Sequence, residues 1–342
     1  MLSSDLLNTL EAIYQTVRPI TAGKVASYIP QLAKANPAHW GVAVCLADGS
    51  RAAWGDAEQA FCLQSVCKPV NYCLALAAHG EAAVHRHVGF EPSGQVFNAL
   101  TLNAAGLPHN PLINAGGIMC CSLIAPERPL HERFELITES WRQLSGGCAP
   151  GFDNAVYQSE RQSADRNRAL AYFMREQGAF APGTDLEATL ELYFQSCSLT
   201  LSASELAVAA ASLAMGGICP LEPGPPLWDQ RSLRNCLTVM ATCGMYNFSG
   251  EFAFRIGLPA KSGVSGALMV VVPGLMGLAM WSPPLDEFGN SVRGLAFCRE
   301  LVERIPLHAY DPQGPVNSPK FVRKSLEDRP GCADMRRCGG ED

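Results

Sequence analysis

Apolar residues recur every three or four positions through DLLNTLEAIYQTVR, KPVNYCLALAAHG, RFELITESWRQLSG, DRNRALAYFMREQG, LEATLELYFQSCS and SASELAVAAASLAMGG. That spacing predicts six helices, each with one face to bury. Three of them run into Gly80, Gly178 or Gly216, where a left-handed C-terminal cap is expected. Ser202, with Glu205 three positions on, predicts a capping box at the start of the last. The pattern turns strand-like in two distant places. WGVAVCLADGSRAAWGD alternates around a turn at Asp48 and Gly49. GALMVVVPGLMGLAMW is apolar throughout but broken by Pro273 and Gly274, so it reads as two buried strands of a hairpin. A shorter strand-like run covers residues 252–256.

Strands near both ends with helices between them predict an α+β protein. Its antiparallel sheet would use residues of about 1–60 and 245–310, and a helical subdomain would fill about 61–244. Residues 311–342 are rich in Pro, Gly and charge and predict a disordered tail. No repeat of the solenoid kind is present.

Composition narrows the function classes. The 342 residues are 48% hydrophobic and 17% charged, as expected of a soluble enzyme-sized chain. A net charge of −6 offers no basic field for a nucleic-acid backbone. The longest apolar stretch is too short and too broken to cross a bilayer, so no membrane partner is expected. The first twenty residues carry early acids and no continuous apolar run. No export signal is therefore expected, and the expected location is cytoplasmic. Fourteen cysteines lack any C-x-x-C pair and are expected to be reduced, small packing residues. Cys120–Cys121 and the tail pair Cys332 and Cys338 are the ones expected to oxidise in a purified sample.

Candidate chemistry begins in FCLQSVCKPV. Ser65 and Lys68 are three apart at the mouth of an apolar helical run. A helix starting at Ser65 would bring both side chains to one face, one turn apart. Burial lowers a lysine's pKa, so Lys68 can take the hydroxyl proton of Ser65. Alone the pattern is equally that of a capping serine and a snorkelling lysine. A second element changes the weighing: Lys261-Ser262-Gly263 opens an apolar strand, and K-[ST]-G accompanies S-x-x-K in acyl-serine enzymes. A cation on that strand can bind a carboxylate, and Gly263 lets a substrate approach the backbone. Lys261 also fits a bland role as a structural cation at a sheet end.

Several longer stretches, GKVASYIPQLAK, FCLQSVCKP, PHNPLINAGGI, YQSERQSADRNRALAYFM, ELYFQSCSLTLS, CGMYNFSGEFAFRIGLPAKSGVSG and MWSPPLDEFGNSVRG, resemble the serine-dependent glutaminase family. The resemblance runs from about Gly23 to Tyr310 and is nearest to the kidney- and liver-type catalytic domain. It implies the serine β-lactamase/transpeptidase-like fold, one catalytic domain over residues 1–310, and hydrolysis of L-glutamine to L-glutamate and ammonia. By motif, Ser65 matches the nucleophile and Lys68 its general base. Tyr28 and Tyr246 match two active-site tyrosines, with Tyr246 the proton relay. Val264 matches the residue whose amide joins that of Ser65 in an oxyanion hole. Asn114, Glu160, Asn167 and Tyr193 match the glutamine-binding residues. Each has a plain alternative: Tyr28 and Tyr193 as core aromatics, Asn114 as a turn residue, Glu160 on a solvated helix start.

The family chemistry calls for no metal or organic cofactor. It implies a homodimer or homotetramer, with inorganic phosphate as a possible activator. Here the motif reads Ser65-Val66-Cys67-Lys68, with Val and Cys in the opposite order to the animal enzymes, and no ankyrin pattern follows Tyr310. Two rivals stay open: a penicillin-interacting acyl-serine enzyme, and a glutamine-binding sensor without turnover. The first predicts a Ser-Asp-Asn element where Phe152-Asp153-Asn154 stands.

Overall fold

The computed structural model describes residues 4–96 and 98–312. The chain opens with α1 (Ser4–Val17) and a hairpin of β1 (Gly41–Leu46) and β2 (Arg51–Gly55). A short β3 (Phe61–Cys62) leads through a 3₁₀ turn, Gln64–Cys67, into α2 (Lys68–His79) and a one-turn α3 (Glu81–Val84). The helical middle holds α4 (Asn114–Leu123), α5 (Leu130–Leu144), β4 (Gly151–Phe152), α6 (Asn154–Gln162), α7 (Asp165–Glu176) and α8 (Leu186–Cys197). It closes with β5 (Leu199–Leu201), α9 (Ala203–Ala214) and α10 (Gln230–Cys243). The chain then returns through α11 (Ser249–Arg255), β6 (Ala260–Ser262), β7 (Ala267–Val272), β8 (Met276–Trp281) and α12 (Val292–Arg304).

Both chain ends build one antiparallel sheet, in the order β2-β1-β8-β7-β6. Its register sets Val42 opposite Trp54 on one side and Met280 on the other. The central strands are apolar at every position because both faces are covered. Leu268, Val270 and Val272 of β7 pack with Leu10 and Ile13 of α1 and with Phe297 and Leu301 of α12. Ala267, Met269 and Val271 face the other way, into the core that the helices share with α9. Gly277 explains how α9 comes so near: a Cβ there would lie 2.1 Å from the Ala211 amide nitrogen. The edge strand β2 alternates between exposed and half-buried positions, since only α1 shields it.

The six expected helices and both hairpins are present, and so is the Ser202–Glu205 capping box. Three expectations need correction. Residues 252–256 belong to helix α11 rather than a strand. Phe252 and Ile256 are buried while Phe254 is 83% exposed, a spacing of four that suits a helix and not a pleat. The helix after Ser65 begins at Lys68, and Ser65 itself lies on the 3₁₀ turn. Helices α4, α6, α10 and α12 were absent from the periodic reading. The expected disordered tail lies, from residue 313 on, outside the described residues. No helix among the described residues is long and apolar enough to cross a membrane.

Candidate active site

The turn from β3 into α2 aims the nucleophile candidate. In a 3₁₀ turn residues three apart eclipse one another. Lys68 Nζ accordingly lies 2.6 Å from Ser65 Oγ. Lys68 is fully buried and Ser65 nearly so. Gly117 of α4 makes room for the lysine, since a Cβ there would lie 2.7 Å from Lys68 Cε. Burial pulls the Lys68 ammonium below the usual lysine range, towards the neutral amine that could accept a proton. Its Nζ also donates to Asn114 Oδ1 at 2.9 Å, and Asn114 Nδ2 donates to Asn167 Oδ1 at 3.1 Å.

On the opposite side, β6 brings Val264 close to the same turn. Gly263 must be a glycine here because a Cβ would lie 2.7 Å from the Leu63 carbonyl oxygen. Among the described residues neither the Ser65 N–H nor the Val264 N–H meets a protein acceptor. Backbone amides without a protein acceptor can receive an oxyanion. Tyr246 donates its hydroxyl proton to Ser262 O at 2.8 Å, and the same hydroxyl reaches Ser65. Burial holds its phenol well above the ordinary tyrosine value, so it is neutral.

Lys261 lies on β6 and is fully buried. Its Nζ donates to Ser262 O at 2.6 Å and Gly244 O at 3.1 Å, and stands 4.4 Å from the centre of the Tyr246 ring. Burial first, and Lys68 second, lower its pKa well below the usual value.

Ser65, Asn114, Glu160, Asn167, Tyr193 and Tyr28 all border one small polar cavity. Tyr193 is buried, with its ring 5.6 Å from Lys68 Nζ. Tyr28 is 51% exposed and is no core aromatic. It also borders an outer cleft lined by Tyr246 and Val264, so it stands between the two spaces. Asn114 is the first residue of α4 rather than a turn residue. Glu160, on α6, is 6% exposed and not solvated. Burial raises its carboxyl to about 7, opposed by Gln64 and Lys68.

Gln64 and Cys197 also border the cavity and were missed in the sequence. Gln64 was adjacent to the S-x-x-K motif, but nothing in the spacing signalled its backbone, which has φ of +48°. Among the described residues no group of three or more His, Cys, Asp or Glu could hold a metal ion.

A family profile described as Glutaminase matches residues 23–310. The chain is 46% identical over 332 residues to "Glutaminase liver isoform, mitochondrial" of Rattus norvegicus, covering 97% of this chain and 53% of that one. It is 48% identical over 299 residues to "Putative glutaminase 3" of Caenorhabditis elegans, covering 87% of this chain and 51% of that one. The chain thus spans about half the length of these relatives. A glutaminase of a Nostoc species is 42% identical over 309 residues and is covered over 91% of its length, against 90% of this chain. Among solved structures, "Mglu in its glutamate form" superposes with a TM-score of 0.85 at 36% identity, covering 91% of this chain and 70% of that one. A "Probable glutaminase ybaS" gives 0.85 at 35%, covering 90% and 99%.

Proposed function

The chain belongs to the glutaminase family, and from that premise we propose that it hydrolyses L-glutamine to L-glutamate and ammonia through a γ-glutamyl ester on Ser65. The observation that carries this reading is the 2.6 Å contact between Lys68 Nζ and Ser65 Oγ, at the edge of a cavity bordered by a buried carboxylate and two asparagines.

The neutral amine of Lys68 takes the Ser65 proton as Oγ attacks the γ-carbonyl carbon. The N–H groups of Ser65 and Val264 receive the oxyanion. Tyr246 relays that proton from the Lys68 ammonium to the amide nitrogen, the C–N bond breaks, ammonia leaves, and Lys68 is neutral again. Water then attacks the ester carbonyl, giving a proton to Lys68, and as the C–Oγ bond breaks Lys68 returns that proton to Oγ, restoring the Ser65 hydroxyl and its own neutral amine. Glu160 pairs with the substrate ammonium, while Asn114, Asn167 and Tyr193 offer donors to the α-carboxylate. Tyr28 screens the cavity from the outer cleft. Lys261 acts at one remove, as a positioning residue that holds the Tyr246 ring and the carbonyl it bonds.

In this reading residues 1–310 form one catalytic domain, with a sheet part and a helical part that share the α9 interface. A homodimer or homotetramer, activation by inorganic phosphate and a cytoplasmic location belong to the same proposal. A coupled assay of ammonia and glutamate, with and without phosphate, tests it. Equal release of both products is expected, lost in Lys68→Ala. Glutamine binding without turnover by the wild type would favour the sensor instead.

A further inference from the structure

Immediately before Ser65, Gln64 holds a left-handed backbone with φ of +48°, one of three non-glycine residues to do so in the described chain. It is 3% exposed. Its Nε2 donates to Glu160 Oε2 and to the Cys197 carbonyl oxygen, both at 3.2 Å. Both neighbours are acceptors, so the amide must present its nitrogen to them. The unusual φ and the two bonds form one device: the turn that carries Ser65 also places the Gln64 amide against Glu160. Resting on the glutaminase reading above, we propose that Gln64 is a positioning residue that fixes the Glu160 carboxylate for the substrate's ammonium, and so controls substrate affinity rather than the chemical step.

The surroundings of Glu160 leave Gln64 this task. From α2, Lys68 faces it; from α8, Cys197 and Tyr193; from β3, Cys62; and from the segment between α1 and β1, Tyr28. Lys68 is occupied by Ser65 and Asn114. Among the described residues Gln64 and the Cys197 thiol hydrogen-bond to the carboxylate, and the thiol is a weak donor. Burial alone favours the neutral acid, which cannot pair with an ammonium; the Gln64 donor opposes that.

The test compares Gln64→Met, which keeps the bulk without the donor, with Gln64→Gly, which also relaxes the left-handed backbone. Both are expected to lower kcat/KM for glutamine by roughly 10- to 100-fold. Most of the loss should fall in KM, with kcat at pH 9 reduced less than about threefold. The acidic limb of kcat/KM against pH should move to higher pH in both. A loss carried by kcat with an unmoved limb in either folded variant would overturn the proposal, as would wild-type KM in Gln64→Gly. Should Gln64→Met not fold, Gln64→Gly decides by the same two readouts. Wild-type protein releasing no ammonia would instead sink the glutaminase reading itself.

Discussion

On the outer face of the sheet, Leu268, Val270, Leu278 and Met280 meet Leu10, Ile13 and Phe297, and among the described residues α1, β7, β8 and α12 bury no lysine or acid. Around Ser65 the burial is as deep, yet Lys68, Lys261 and Glu160 are all inside. The outer core uses regular strands and helices. The site uses a 3₁₀ turn that opens at Gln64 and, from a distant segment, Tyr246, both in the left-handed region, a conformation costing on the order of 1–3 kcal/mol per residue. The two regions divide the labour. The sheet and its helices supply stability, and the site holds ionisable groups and backbone in states that folding alone would not select.

The comparison breaks most sharply at Ser65. Ser65→Ala should reduce glutamine turnover by about 10⁴-fold or more in the coupled assay, with no loss in the urea-unfolding midpoint. The reverse result belongs to the sheet. Gly277→Val would drive methyl groups into the α9 backbone at Ala207 and Ala211, and should destabilise by about 3 kcal/mol in urea. The folded fraction should keep its kcat.

Glu160 tests the trade between the two regions. Its carboxyl titrates at about 7 in the folded chain, against an ordinary 4.5. Folding therefore takes up a proton between those values, so this group's contribution is full below about pH 4.5 and is lost as pH rises to about 7. Glu160→Gln should be more stable than wild type at pH 8, by on the order of 2–3 kcal/mol, and no more stable at pH 4. Its KM should rise sharply. In the wild type, kcat/KM should climb with pH through about 7, as the carboxylate forms. The smallest effect is expected at Gly117→Ala, where the added methyl presses on Lys68 Cε. It should lower kcat about 10-fold and leave KM nearly unchanged.

These expectations also mark what was legible in the chain. The sheet was, because strands buried on both faces are apolar throughout and the turn residues between them are unambiguous. Helices α10 and α12 carry start signals in the chain, the caps Asp229 and Ser291. Helix α4 was not legible: Gly116 and Gly117 argue against a helix. They are there because side chains would strike the Asn110 carbonyl and Lys68, a tertiary reason. In the site, spacing alone paired Ser65 with Lys68. Asn114, Glu160, Asn167 and Tyr193 stand on four different helices, so no local pattern unites them, and they entered only through the family resemblance. Lys261 stood out through its motif, but a motif does not show that its ammonium meets the Gly244 and Ser262 carbonyls.

The most direct measurement is mass spectrometry of wild-type protein acid-quenched during glutamine turnover. A γ-glutamyl adduct is expected on the peptide that carries Ser65, and none in Ser65→Ala. An adduct on another side chain, or ammonia release undiminished in Ser65→Ala, would contradict the account.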